Sequence, residues 1–410
     1  MGRFTVTNPI IQNDDVLRDE WKPNELLERE HEDEMFTQAL LPVSRGAQAS
    51  NIFVYGRTGT GKTLSTKLVF EELKEEAKDW DLDIRTIRVS CRDRTAYKVA
   101  INVINRITDG QRISKTGHQT SVVLDRFFEE INKLEADHIF LILDEIDNFE
   151  TDASLLYQIP RARDEGLLDD DKMMSMVGIS NDFLFRDKLD PQIQSTLGEV
   201  EIEFDPYDAT QLQTILNDRV EKALVSDDVI DDSVVPWISA KTAQKSGSAR
   251  YAIEVLRIAA NRAERHDDPK ITEEHARVGV QEVEKEELVE QTKNMITQTQ
   301  LVLAAVSHLD RDGQTPVARQ QIYQKYKQLA KIEGFEALSG RSVHRTLKDL
   351  MMYSFLHGSE VNQGMSGGRR YEYSLDVDAD LVEKGLADQL SLFGDDKGSD
   401  TESTQATLTD

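Results

Sequence analysis

The chain has 410 residues, 39% hydrophobic and 30% charged, with 49 Lys+Arg against 76 Asp+Glu and a formal net charge of -27. That length holds two or three domains with packed cores. No apolar run reaches the roughly 18 residues of a membrane span, the opening MGRFTVTNPIIQNDD lacks the apolar core of a secretory signal, and the single cysteine, Cys91, excludes internal disulfides and fits a reducing cytoplasm.

Residues 1–20 read as an extended arm, and PNELLEREHEDEMFTQALLPV, from Pro23, as a helix. SNIFVYGRTGTGKTLSTKLVFEELKEEA follows as an apolar strand, a glycine-rich turn and a long helix. DIRTIRVSC is a strand and TAYKVAINVINRI a helix. The polar loop DGQRISKTGHQT leads to a helix from Ser121 to Leu134. HIFLILDEID and KMMSMVGISN are apolar strands ending in polar residues, as strands buried on both faces should. This alternation predicts an α/β fold with a parallel sheet. After DPYDATQL (205–212) the pattern is helical through about Glu290. From Gln298 come three short helices, TQLVLAAVSHL, ARQQIYQKYKQLAKI and SGRSVHRTLKDLMMYSFL, and then a hairpin, LHGSEVNQGMSGGRRYEYSL. Three helices and a glycine-tipped hairpin form a winged-helix layout. The polar, acidic end reads as disordered. The eight histidines do not cluster, so no structural zinc is expected.

GRTGTGKT, comprising Gly56, Arg57, Thr58, Gly59, Thr60, Gly61, Lys62 and Thr63, matches G-x-x-x-x-G-K-[ST] without a gap. The glycines let backbone N–H groups wrap phosphates, and the helix that follows adds its positive end. Lys62 can reach the β- and γ-phosphates, and Thr63 can ligate Mg²⁺. In LILDEID, Asp144 ends a buried strand, where ligands of open α/β sheets bind, and joins Thr63 as a magnesium ligand. Glu145 is placed to orient or deprotonate an attacking water. Asn181 ends the strand MVGISN and can reach the γ-phosphate or that water. Arg250, in the first turn of a helix starting at Ser248, opposes the helix dipole unless an anion such as a γ-phosphate compensates. Read alone, the two acids are a solvated strand end, Asn181 a turn residue and Arg250 a surface arginine. The phosphate loop tips each toward the site.

Charge is uneven. Residues 296–375 hold ten Lys+Arg against seven Asp+Glu, while 376–410 hold ten acids against two lysines. An acidic, lysine-poor surface suits a cytoplasm of molar salt, where repulsion is screened within about 3 Å. The surplus of cations near the end is then the exception to explain.

In this order, PNELLERE, YGRTGTGKT, LDEID, the strand ending GISN, LDPQIQSTLGEVEIEFDPYDATQL, GSARYAIEVLR and the winged helix resemble the AAA+ ATPases. Together they are similar to the archaeal replication initiators of the origin-recognition-complex/cell-division-control family, as a divergent haloarchaeal paralogue. The likeness implies a nucleotide-binding base (1–204), a helical lid (205–290), a DNA-binding winged helix (291–378) and an acidic disordered tail (379–410). It implies ATP/ADP and Mg²⁺ as cofactors, bound between base and lid. Pro23, Leu26, Arg29 and Glu30 match an N-terminal element lying near adenine, and Tyr207 lies in the matching DPYDATQL segment. It implies double-stranded origin DNA, the replicative helicase and other initiator subunits as partners, no membrane, and a cytoplasmic, nucleoid-associated protein. Arg341, Ser342, His344, Arg345 and Lys348 then become groove-reading candidates, Arg369 and Arg370 the wing, and Arg112 and Lys115 phosphate contacts from an insertion. One segment departs from the family. Gln192 and Gln194 stand where an arginine finger is expected, which predicts slow hydrolysis unless Arg186 takes over. The alternative is an ATP-regulated transcription regulator on the same scaffold. DQLSLFG and QATLTD near the end faintly resemble sliding-clamp-binding peptides.

Overall fold

The computed structural model describes residues 9–92, 95–108, 113–114, 116–148, 154–197, 199–362, 369–387 and 389–391. They fall into two compact units, Met1–Gly279 and Val280–Asp410.

In the first unit, β1 (Ile52–Gly56), β2 (Ile84–Ser90), β3 (His138–Asp144), β4 (Met173–Ser180) and β5 (Val200–Phe204) form a parallel sheet in the order β2-β3-β4-β1-β5. Helices α1 (Glu30–Leu40), α2 (Lys62–Ala77), α3 (Ala96–Ile107), α4 (Thr120–Asn132), α5 (Ser154–Gln158) and α6 (Pro191–Leu197) connect and cover it. Successive side chains point to opposite faces, so the apolar run 139–143 of β3 feeds both faces, and the strand is buried along its whole length. Ile139, Leu141 and Leu143 pack with the side chains of α3 and α4. Phe140 and Ile142, on the other face, pack with those of α1 and α2. Each such burial contributes roughly 1.5–3 kcal/mol, so both faces must be covered.

Four helices follow: α7 (Ala209–Ala223), α8 (Val234–Lys245), α9 (Ala249–Arg265) and α10 (Glu273–Asn294), the last belonging to the second unit from Val280 onward. Asp208 starts α7 with a capping box: Oδ1 accepts from the Thr210 and Gln211 N–H groups, and the Gln211 side chain accepts from the Asp208 N–H.

Three local expectations differ from the structure. The arm is not free from residue 9 onward, because Ile11 bridges Leu224, Gln12 N–H donates to Ala223 O at 2.8 Å, and Val16 and Leu17 are buried. The helix predicted from Pro23 begins only at Glu30. Glu28 has φ +63°, a left-handed turn that no helix tolerates, and it leads into the buried Arg29. The helix expected over 121–134 spans Thr120–Asn132.

In the second unit, α11 (Thr297–Arg311), α12 (Arg319–Ile332) and α13 (Gly340–Met352) pack with a small antiparallel sheet. Its strands β6 (Val317–Ala318), β7 (Leu356–Asn362) and β8 (Arg369–Leu375) run in the order β6-β8-β7. The disordered tail expected from 379 is instead helical at its start. Helix α14 (Ala379–Leu386) buries Val382 and Leu386, and Leu390 is buried just beyond it. Its apolar residues are spaced by four, a signal masked by the acids between them. Arg311 on α11 clasps Asp380 and Glu383 of this helix.

Candidate nucleotide site and nucleic-acid interface

Interior strand β1 ends at Gly56, and α2 starts at Lys62. The loop between them lies beyond the carboxyl end of a strand that pairs with β4 and β5, the crevice where open α/β sheets take ligands. Two glycines there answer to positive φ angles and to close neighbours. Gly59 has φ +81°, and a Cβ would fall 1.9 Å from Ser248 Oγ. Gly61 has φ +97°, and a Cβ would meet the Tyr207 hydroxyl at 3.0 Å. The loop is thus closed against residues of the helical segment. Arg57 and Thr58 are exposed at its tip, while buried Thr60 donates its hydroxyl to Arg57 O at 2.8 Å.

Lys62 Nζ donates to Gly56 O and Arg57 O, both at 2.7 Å. Burial pushes its ammonium down to about 8, with Asp144 opposing the shift. Thr63 Oγ1 lies 3.3 and 3.2 Å from the two Asp144 carboxylate oxygens. Asp144 Oδ2 also accepts from Arg88 Nη2 at 2.5 Å. Glu145 sits at φ +58°, and its Oε2 accepts from Ser90 Oγ at 3.0 Å.

Next to this loop lies a cavity of about 480 Å³, within the range of small-molecule sites. Segment 17–27, the phosphate loop, Arg88, Tyr207 and helices α7 and α9 line it. Of the predicted residues, Pro23, Leu26, Gly59, Gly61, Lys62, Thr63, Tyr207 and Arg250 lie on its wall. Arg250 is held there by Asp19, at 2.7 Å. Arg29 is one layer behind: its Nε donates to Thr60 O at 3.2 Å, its Nη2 to Asp205 O at 2.6 Å, and its Nη1 pairs with Glu32 at 2.7 Å. Its guanidinium also lies 3.8 Å from the Tyr207 ring centroid. Glu30 opens α1 and is exposed. Asn181 is exposed off the cavity wall, its N–H bonded to Asp147 Oδ1 at 3.2 Å. Arg112 and Lys115 lie outside the described residues.

Three wall residues escaped the motif reading: Trp21, Arg88 and Arg219. Arg219 is 8% exposed, and its Nε and Nη1 are buried with no hydrogen-bond partner among the described residues. Its guanidinium lies 3.8 Å from the Trp21 ring centroid, and burial lowers its pKa to about 10. Orphaned buried donors beside a cavity call for an acceptor-rich ligand. A signal existed: Arg219 falls on the apolar stripe of α7 with Leu212, Ile215, Leu216, Val220 and Ala223. Arg88 had no local signal.

These features fit a nucleoside triphosphate with magnesium. The loop glycines leave room for phosphate oxygens, and Thr63 with Asp144 offers the few hard oxygen donors Mg²⁺ takes when phosphates complete its shell. No group of three or more His, Cys, Asp or Glu side chains able to hold a metal occurs among the described residues. Away from the cavity, Gln194 Nε2 donates to Leu189 O at 2.9 Å, Gln192 N–H donates to Asp190 Oδ1 at 2.9 Å, and Arg186 is paired with Glu201.

In the second unit, α13 buries Val343, Leu347 and Leu350 and exposes Arg341, Arg345 and Lys348. Their spacing puts these three cations on one face. Ser339 caps the helix start, its Oγ accepting from the Ser342 N–H at 3.2 Å, and the two serine hydroxyl oxygens lie 3.1 Å apart. His344 is half-buried, and burial, then Arg319 and Lys348, lower its pKa, which favours neutral imidazole. Arg369 and Arg370 begin β8, paired with Asn362 and Val361.

A parallel sheet with a closed phosphate loop, a helical lid and a separate winged helix define an AAA+ ATPase architecture. Comparison with known proteins agrees along the chain. Residues 45–177 match the AAA domain model, 213–281 the Cdc6 AAA+ ATPase-type lid domain, and 290–385 the CDC6 C-terminal winged helix domain. The chain is 40% identical over 385 residues to ORC1-type DNA replication protein 8 of Halobacterium salinarum, covering 92% of this chain and 96% of that protein. It is 35% identical over 418 residues to ORC1-type DNA replication protein 1 of Haloarcula marismortui, covering 97% and 98%. Among solved structures it resembles the Aeropyrum pernix ORC1 protein in complex with DNA, with TM-score 0.79, 33% identity, and coverage of 93% of this chain and 97% of that one. This chain belongs to the ORC1/Cdc6-type family of DNA replication initiators.

Proposed function

We propose that this protein is an ATP-switched initiator that binds double-stranded origin DNA and helps load the replicative helicase beside other initiator subunits. The observation that carries this reading is the exposed row Arg341, Arg345 and Lys348 on the third helix of a winged helix, in a chain of net charge -27. A cationic helix face is what phosphate and base edges require. The relative solved as an ORC1 protein in complex with DNA supports it. Arg369, Arg370, Arg112 and Lys115 are further candidates for phosphate contact, and His344 and Ser342 for the groove.

ATP or ADP would occupy the cavity, with Pro23, Leu26, Tyr207 and Arg219 around base and sugar and the phosphate loop around the phosphates. Magnesium, held by Thr63, Asp144 and the phosphates, would neutralise charge on the transferring phosphoryl. Glu145 would turn from Ser90 toward the attacking water, and Arg250 and Asn181 would respond to the γ-phosphate. Lys62 would turn from the Gly56 and Arg57 carbonyls toward the β- and γ-phosphates. Hydrolysis is slow in this reading. Gln192 and Gln194 bring no charge, and Arg186 is engaged with Glu201, while arginine fingers contribute about 10³–10⁵ in rate. The protein acts in the cytoplasm, at the nucleoid. A clamp-binding role for DQLSLFG has less support, because Leu390 is buried in the winged-helix core. The regulator reading has only the two glutamines in its favour.

The test is genome-wide occupancy of the tagged protein in growing cells, aligned to a replication-start map. Sharp peaks at start zones, lost with R345E/K348E, are expected. Peaks at promoters away from starts would make it a regulator, and unchanged peaks in the variant would remove α13 as the reader. Purified protein should show R345E/K348E weakening origin binding by roughly 10- to 100-fold, with a flat response to KCl near molar salt where counterion release drives little.

A further inference from the structure

Arg88 lies on β2 opposite Ile142 of β3, so its side chain shares a face with Ile142 and with Asp144 two residues on. Its guanidinium reaches along that face to Asp144 Oδ2, at 2.5 Å. The same oxygen is 3.2 Å from Thr63 Oγ1. Arg88 also lines the cavity with Lys62 and Thr63. The side chains are unequally exposed, Arg88 at 44% and Asp144 at 12%. The carboxylate is therefore fixed and the arginine has room to leave it.

A guanidinium and a divalent cation seek the same carboxylate lone pairs and repel each other. One Oδ2 cannot serve both at full strength. We propose that Arg88 is a built-in counter-ion of Asp144 that competes with the divalent cation, so that it sets how much Mg²⁺ nucleotide binding demands. Arg88 is thus a positioning residue acting through Asp144, and it keeps a positive charge beside the phosphates at low Mg²⁺. This rests on reading the cavity as the nucleotide and magnesium site.

The experiment uses the full chain at constant KCl and the fluorescence anisotropy of a fluorescent ATP analogue. Free Mg²⁺ is titrated from an EDTA baseline for wild type, R88A and R88K. R88A should lower the Mg²⁺ midpoint about three- to tenfold, a partly exposed charge-assisted bond being removed from competition. It should also weaken binding in EDTA. R88K, which keeps the charge, should stay within about twofold of wild type. In a D144N background, adding R88A should no longer move the midpoint. An R88A midpoint equal to or above wild type overturns the proposal while leaving the nucleotide site standing. Failure of wild type to bind the analogue at any Mg²⁺ concentration removes both.

Discussion

Replacing Arg29 with alanine should destabilise the first unit by about 3–5 kcal/mol, the usual cost of breaking a buried ion pair from one side. Arg29 is 4% exposed and its partner Glu32 is 7% exposed. Without Arg29 the Glu32 carboxylate is buried and unpaired, and the Thr60 and Asp205 carbonyls lose their donors. Water can enter the vacated space and re-solvate the carbonyls, so they add little to that figure. For a unit of this size, 1 kcal/mol moves the transition by roughly 2–4 °C, so the melting temperature should fall by about 6–20 °C. The assay is scanning calorimetry of wild type, R29A and R29A/E32A in the same KCl. The double variant should recover part of the loss, because the uncompensated charge is gone. A loss under about 1 kcal/mol in R29A, or a double variant less stable than R29A, would refute this account of the buried pair.

Lys62 predicts a pH effect. Its folded pKa is lowered to about 8 from 10.5. Below about pH 8 both states carry the proton and the burial penalty is fully present. From about 8 to 10.5 the folded state sheds its proton first, the unfolded chain binds more protons, and stability rises with pH. K62M, which has no such penalty, should be more stable than wild type at pH 7 and lose that margin by about pH 10, read by denaturant unfolding. It should also stop binding the ATP analogue. In the second unit, Leu386 of α14 is fully buried. L386A should destabilise that unit by about 2–5 kcal/mol, seen in the full chain as a lower transition for the winged helix alone. Unchanged melting would mean that α14 is not part of that core.

The parallel sheet, the phosphate loop and the three winged-helix helices were legible because each has its own period or spacing. HIFLILD could only be a strand buried on both faces, and GRTGTGKT carries its backbone demands in its glycines. Arg29 was singled out, but its dual hold on Thr60 and Asp205 was not, since Asp205 is 176 residues away in sequence. The start of α1 was misplaced for a related reason: local propensity favours helix from Pro23, and the tertiary tie on Arg29 overrides it. Helix α14 was hidden by acids that its ion pairs with Arg311 make use of. Arg88 and Asp144 are 56 positions apart, so only the parallel register of β2 and β3 brings them together.

Strand order also sets how the site comes apart. Strand β1, which feeds the phosphate loop, is hydrogen-bonded on both sides, by β4 and β5, whereas β2, which carries Arg88 and Ser90, pairs only with β3 among the described residues. Local opening costs least at an edge and approaches the global unfolding free energy in the middle of a sheet. Amide protons of 52–56 should therefore outlast those of 84–90 in exchange. In the open species that exchange samples, the phosphate cradle remains while Arg88 and Ser90 have left Asp144 and Glu145.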